Sequence, residues 1–220
     1  MAKKKKLIRF KENSDFEELF EPNALDLLKQ DHENKGKWAK NYFGNSNSIT
    51  LELGCGRGEY TVGLAALYPD RNFIGVDVKG SRINFGIKAL REAKLKNACF
   101  VRSQIEMLNY IFKNEIGEIW LTFPDPSPDK VRRRLTAPIF LTRYSELVLP
   151  NTPICLKTDS HELYTYTKWV VNNSNLEILS DTDDLYNSPL CLELPQIQSE
   201  YEKKYLAQDK KICFLKFSLK

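Results

Sequence analysis

From residue 48 onward, short apolar runs alternate with stretches of helical periodicity, and this alternation limits the fold more than any other feature of the chain. "SITLEL" runs into glycines. A predicted helix over Tyr60–Tyr68, strand "NFIGVD", a helix over Ser81–Lys94, strand "ACFVR", a helix over Ile105–Phe112 and strand "EIWLTF" follow. Beyond a proline-rich loop come a predicted helix over Pro138–Leu149, strand "PICLKT", a helix over His161–Asn172, and the strands "LEILS" and "KICFLKF". Upstream, Leu19–Lys29 and Lys35–Tyr42 also read as helices. Strands separated by helices form crossover units, which assemble into a mostly parallel sheet with helices on both faces. Ligands of such sheets bind beyond the carboxyl ends of the strands. The chemical motifs of this chain all fall there.

At 220 residues and 42% hydrophobic content, one sizeable core is expected. The formal charge is +4, yet residues 1–11 hold six cations (Lys3, Lys4, Lys5, Lys6, Arg9, Lys11) and no acid, so the rest carries −2. Basicity is therefore local. A basic, flexible tail over residues 1–15 ahead of a single domain over 16–220 is the expectation, with a polyanion as the tail's partner. The five cysteines form no C-x-x-C pair, which argues against a zinc site or a disulfide framework. No apolar run is long enough to span a bilayer and no apolar segment follows the N-terminal charges, so a cytoplasmic location is expected.

"LELGCGRGEY" places glycines at 54, 56 and 58 between a strand and a helix, where the backbone can turn tightly and a ligand can approach it. The spacing is G-x-G-x-G, not the G-x-G-x-x-G of dinucleotide sites, and Glu52 stands in the strand end. A carboxylate there suits an ammonium group and repels a pyrophosphate. "FIGVD" ends in Asp77, where an acid accepts hydrogen bonds from ribose hydroxyls. Together these favour S-adenosylmethionine over a nicotinamide cofactor.

"LTFPDPSPDKVRRRL" begins as a strand end and continues with three prolines, which fix φ and stiffen the loop. Asp125 sits across the cleft from the glycine turn. An acid followed by proline at this place resembles the D-P-P-Y loops with which methyltransferases position a planar nitrogen nucleophile. The basic run Lys130, Arg132, Arg133 and Arg134 suits a polyanionic partner.

"FPDPSPDKVRRRL" also resembles the F-P-D-P-W-P-K…K-R-R-L signature of the bacterial tRNA (guanine-N7-)-methyltransferases. "KKKKLIRFKEN", "KGKWAKNYFGN", "LELGCGRGEY", "FIGVD", "KTD" and "SEYE" are similar to further blocks of that family in the same order, so the resemblance covers nearly the whole chain. It implies a Rossmann-like class I methyltransferase fold, with a mostly parallel seven-stranded sheet and an antiparallel last strand. It also implies methyl transfer from S-adenosylmethionine to N7 of guanine 46 in the tRNA variable loop, giving 7-methylguanosine, by a monomer or homodimer without a metal. Cofactor contacts implied by it fall on Glu52, Gly54, Gly56, Gly58, Asp77, Gln104 and Asp125, with Asp125 also catalytic. Substrate contacts fall on Asp129, Lys130, Arg132, Arg133, Arg134, Asp159, Ser199, Glu200, Tyr201 and Glu202. Four positions depart from the family pattern: Asp77 replaces a glutamate, Gln104 a third cofactor acid, Asp129 a lysine and Ser127 the loop tryptophan.

Asp159-x-x-Glu162 and Ser199-x-x-Glu202 both have capping-box spacing, which local helix capping alone would explain. Two other function classes are compatible with parts of the pattern. One is a methyltransferase acting on an adenine amine or a protein glutamine, which shares the D-P loop but has no need of the basic segments. The other is a noncatalytic RNA-binding domain on a degenerate methyltransferase fold, to which Gln104 points.

Overall fold

The computed structural model describes residues 2–219, with side chains from Leu7 onward. The elements run α1 (Ala2–Asn13), β1 (Leu19–Phe20), α2 (Ala24–Leu27), α3 (Trp38–Asn41), β2 (Ile49–Leu53), α4 (Glu59–Leu67), β3 (Asn72–Asp77), α5 (Gly80–Glu92), β4 (Ala98–Arg102) and β5 (Ile116–Thr122). They continue with α6 (Pro138–Ser145), β6 (Thr152–Thr158), α7 (His161–Asn173), β7 (Glu177–Thr182), α8 (Leu190–Glu193), α9 (Glu200–Leu206) and β8 (Cys213–Leu219).

The eight strands form one sheet in the order β1-β4-β3-β2-β5-β6-β8-β7. The pairs from β1 to β6 are parallel, and β8 runs antiparallel between β6 and β7. Apolar residues alternate between two layers: Ile119 and Leu121 of β5 join the core on one face, while Trp120 joins Tyr60, Phe100 and Phe214 on the other. With both faces covered, β2 is buried along its whole length, as a central parallel strand should be. From β2 the chain first builds outward through β3 and β4, then returns to place β5 on the opposite side of β2. The strand order reverses there, and the crevice at that point is where open α/β sheets bind ligands.

The seven expected strands are present, and the eighth is a two-residue edge strand inside the segment expected to be a helix over 19–29. Pro22 disfavours helical backbone at the residue before it, so Leu19 and Phe20 pair with Phe100 and Val101 instead. Asn23 then caps the short α2, accepting from Leu25 N at 2.8 Å. The segment expected as a flexible tail is helical over Ala2–Asn13. Its C-terminal half docks on α5: Asn13 donates to Gly80 O at 3.1 Å, Asn84 donates to Asn13 at 3.0 Å, and Lys88 pairs with Glu12 at 2.6 Å. Met1 and the side chains of residues 2–6, which include the four consecutive lysines of the tail, lie outside the described residues. Among those residues, no helix is long and apolar enough to cross a membrane.

Candidate active site

The glycine turn follows β2 as expected. Gly54, Gly56 and Gly58 all have positive φ, at 77°, 57° and 72°. At Gly58 a Cβ would lie 2.6 Å from the Phe100 ring, so only glycine lets α4 start this close to the sheet. At Gly54 a Cβ would meet no atom within 4 Å, because the residue faces open cleft. Asp77 braces the turn, accepting from Gly56 N at 2.9 Å and from Lys79 N at 2.7 Å.

Glu52 is almost wholly buried below the turn. Its carboxylate accepts from Thr61 N at 2.8 Å and from the hydroxyls of Thr61 and Thr122, each at 2.5 Å. Burial pushes its pKa up to about 7, against these hydrogen bonds, which pull it down. The group is therefore poised to ionise when a cation arrives.

The loop after β5 is held from several sides. Phe123 and Ser127 have left-handed backbone, with φ of 48° and 40°, a conformation non-glycine residues hold only when their surroundings enforce it. Phe123 N donates to Lys157 O at 2.7 Å. Asp125 Oδ1 accepts from Ser127 N at 2.9 Å, and among the described residues no hydrogen bond engages Oδ2. The turn thus uses one carboxylate oxygen and leaves the other for the cleft.

Arg134 holds the far end of this loop. It is 2% exposed, donates from Nε to Pro126 O at 2.9 Å, stacks 4.6 Å from the Tyr166 ring centroid and pairs with Glu162. The expectation that all three arginines face RNA is corrected here: Arg132 and Arg133 are exposed, whereas Arg134 is a buried strut. Buried and held through Nε, one Nη and its flat face, this guanidinium is not presented to solvent or to a phosphate. Asp129 and Lys130 are exposed at the loop tip.

On the opposite wall, Ser160 rather than Asp159 caps α7, its hydroxyl accepting from Leu163 N at 3.2 Å. Asp159 is freed by one residue and pairs with Lys210 at 2.9 Å, while Glu162 serves Arg134. Ser199 does cap α9, accepting from Glu202 N at 3.2 Å. Glu202 does not reach back as a capping box requires. It is fully buried, pairing with Lys157 at 2.6 Å and accepting from Tyr186 at 2.8 Å. Its place is behind the cleft wall.

These parts enclose two adjoining cavities. One, of about 520 Å³, is lined by Gly54, Asp77, Gln104, Ile105, Asp125 and Arg133 among others. The second, of about 360 Å³, is lined by Glu52, Gly54, Gly56, Tyr60, Asp125, Asp159, Ser199 and Tyr201 among others. Gly54 and Asp125 belong to both. Tyr60 lines the second cavity, while its hydroxyl is fully buried and has no hydrogen-bond partner among the described residues.

A family model described as "Putative methyltransferase" matches residues 46–215. A curated tRNA (guanine-N(7)-)-methyltransferase of Christiangramia forsetii is 43% identical over 224 residues, covering 100% of both chains. The chain belongs to the tRNA (guanine-N(7)-)-methyltransferases. The protein of that name from Bacteroides fragilis is 42% identical, covering 98% of this chain and 86% of its own. Among solved structures, the 16S rRNA methyltransferase KamB aligns with a TM-score of 0.64 at 14% identity, over 82% of this chain and 91% of its own. That likeness shows the fold, a Rossmann-like class I methyltransferase fold.

Within this family fold, several lining residues escaped sequence reasoning. Lys79 and Arg82 line both cavities, and Tyr60 and Tyr205 line the second. Two cations within five residues after Asp77 were a signal for the first pair. Tyr205, one helical turn after Tyr201 and stacked 6.5 Å from it, offers an aromatic surface in the second cavity, 5.9 Å from the Phe123 ring of the proline loop.

Proposed function

We propose that this chain methylates N7 of a guanine in tRNA, position 46 of the variable loop, with S-adenosylmethionine as donor. The residues present fit that cofactor. Asp77 and Gln104 would hold its nucleoside in the larger cavity, and Glu52 would face its amino group in the smaller one. The open space at Gly54 leaves room between them. When bound, the cofactor supplies an electrophilic methyl group.

The observation that carries the reading is that Asp125, on a strained and strutted loop, lines both cavities. Guanine N7 has its lone pair in the ring plane and bears no proton, so methylation there requires no general base. Alignment is the task. A fixed carboxylate can orient the base edge and favour the positive charge that develops on the purine. Asp159 and Ser199 supply oxygens for the donor groups of guanine, and Tyr201 with Tyr205 supplies a stacking surface. Glu202, behind Ser199, positions this wall. Arg132, Arg133 and Lys130 remain free for the tRNA backbone, and a cytoplasmic location follows from the substrate.

Reaction with unmodified tRNA should yield 7-methylguanosine and no other methylated nucleoside; methyladenosine, or no product, would overturn the reading. D125N keeps the size and one acceptor but removes the charge. Its single-turnover rate at saturating cofactor and tRNA should fall on the order of a hundredfold or more. A loss seen only at subsaturating cofactor, with a normal rate at saturation, would show that Asp125 acts on binding instead.

A further inference from the structure

A third cavity, of about 530 Å³, opens between α1, the glycine turn, α5 and α9. It shares Gly56, Arg57, Glu59, Arg82 and Tyr201 with the smaller catalytic cavity, so the two form one continuous groove. Four cations line it: Arg9, Arg57, Arg82 and Lys204. The guanidinium groups of Arg9 and Arg57 sit 4.2 and 4.8 Å from the centroid of the same Phe85 ring, which gathers two like charges at one place.

Two acids, Glu59 and Glu200, line it as well, so the lining keeps an excess of two positive charges, which favours an anion. Of the nearby acids, Glu200 pairs with Lys203 at 2.9 Å, Glu12 pairs with Lys88 at 2.6 Å, and Glu59 accepts from the backbone of Glu200. Among the described residues, none of the four cations forms a salt bridge. Arg82 also lines the larger cavity, so it stands where all three meet. Unpaired guanidinium groups with flat, preset forks are suited to phosphate oxygens.

We propose that this groove carries the sugar–phosphate backbone on one side of the methylated nucleotide, with Arg82 holding the phosphate nearest the cleft. The inference rests on the tRNA reading above. A base that enters a cavity at the strand ends must leave its helix, because the narrow major groove of A-form RNA keeps N7 out of reach of side chains. Its flanking phosphates then stay outside the cavity, and a lined exit must accommodate them. The groove is such an exit.

The test is tRNA affinity against salt concentration for R9Q/R57Q/K204Q, with R9K/R57K/K204R beside it. The neutral variant should bind about tenfold or more weakly at 0.15 M salt, and the slope of log affinity against log salt should flatten by about two. The charge-keeping variant should retain the slope. On the wild-type protein, ethylation of phosphates flanking the target guanine should block binding, an experiment that needs no variant to fold. An unchanged slope in the neutral variant, or no interference at the flanking phosphates, would overturn the groove while wild-type formation of 7-methylguanosine left the parent reading standing. Failure of the wild-type protein to form 7-methylguanosine would instead overturn the parent reading and the groove with it.

Discussion

Glu52 is a buried carboxylate whose charge a ligand must stabilise. Its folded-state pKa of about 7 lies above the ordinary carboxylate value of 4.5, so between those values the folded protein holds a proton that the unfolded chain releases. The stabilising contribution of the protonated form is complete below about 4.5 and is lost as pH rises through about 7. Cofactor binding should run the other way, because an ammonium group favours the carboxylate. Calorimetry should find affinity rising from about pH 6 to about 7.5, above which the α-amino group begins to lose its own proton. E52Q should bind the cofactor at least about tenfold more weakly, show no such rise, and melt at or above the wild-type temperature at pH 8. A rise that persists in E52Q would place the titrating group elsewhere. The sequence made Glu52 legible as a site residue through its place before three glycines. It could not show that Thr61 and Thr122 would share it, since the three meet only when β2, α4 and β5 come together.

At the scale of elements, the loop from Phe123 to Arg134 and the wall formed by β6 and α9 are each fastened by one buried cation. Three adjacent arginines read as a single basic patch in sequence, and the structure divides them because a short helical turn aims Arg134 inward while its neighbours face solvent. R134K keeps the charge but cannot donate simultaneously to Pro126 O and Glu162 while stacking on Tyr166. Its turnover should drop by about tenfold or more, with the salt dependence of tRNA binding near wild type. A flattened salt slope with normal turnover would return Arg134 to the RNA-facing surface. Lys157, within the apolar strand "PICLKT", was a signal in plain view: a lysine in a central strand needs a buried partner. That partner is Glu202, at 2.6 Å, and K157M should cost about 3–5 kcal/mol in denaturant unfolding by leaving its carboxylate unpaired. A loss under about 1 kcal/mol would mean that Glu202 finds water instead. The capping assignment at Asp159 failed by one residue for a related reason. Which hydroxyl or carboxylate caps a helix depends on where the helix starts, and local spacing does not fix that to a single position.

For the whole molecule, the alternation of strands and helices was enough to place β2 beside the crevice, because parallel strands joined by right-handed crossovers leave few orders to choose from. What it missed lies at the periphery. Strand β1 forms only because the exposed edge of β4 accepts it, and α1 is held by backbone and side-chain groups of α5 from more than 65 residues away, as in the Asn13–Gly80 and Asn84–Asn13 hydrogen bonds. Deletions can therefore separate two parts of the N-terminal segment, the lysine run and the half of α1 docked on α5. Removing residues 1–6 takes away Lys3, Lys4, Lys5 and Lys6 and none of the described contacts with α5. tRNA affinity should fall and its salt slope flatten, with cofactor affinity unchanged. Removing residues 1–13 also strips Arg9, Phe10, Glu12 and Asn13 from the surface of α5, whose first turn carries Arg82 into all three cavities. Cofactor affinity and thermal stability should then fall together. If the longer deletion weakened only tRNA binding, α1 would be an RNA-binding arm with no part in holding α5 against the site. If the shorter one left the salt slope intact, the four lysines would have no part in binding tRNA.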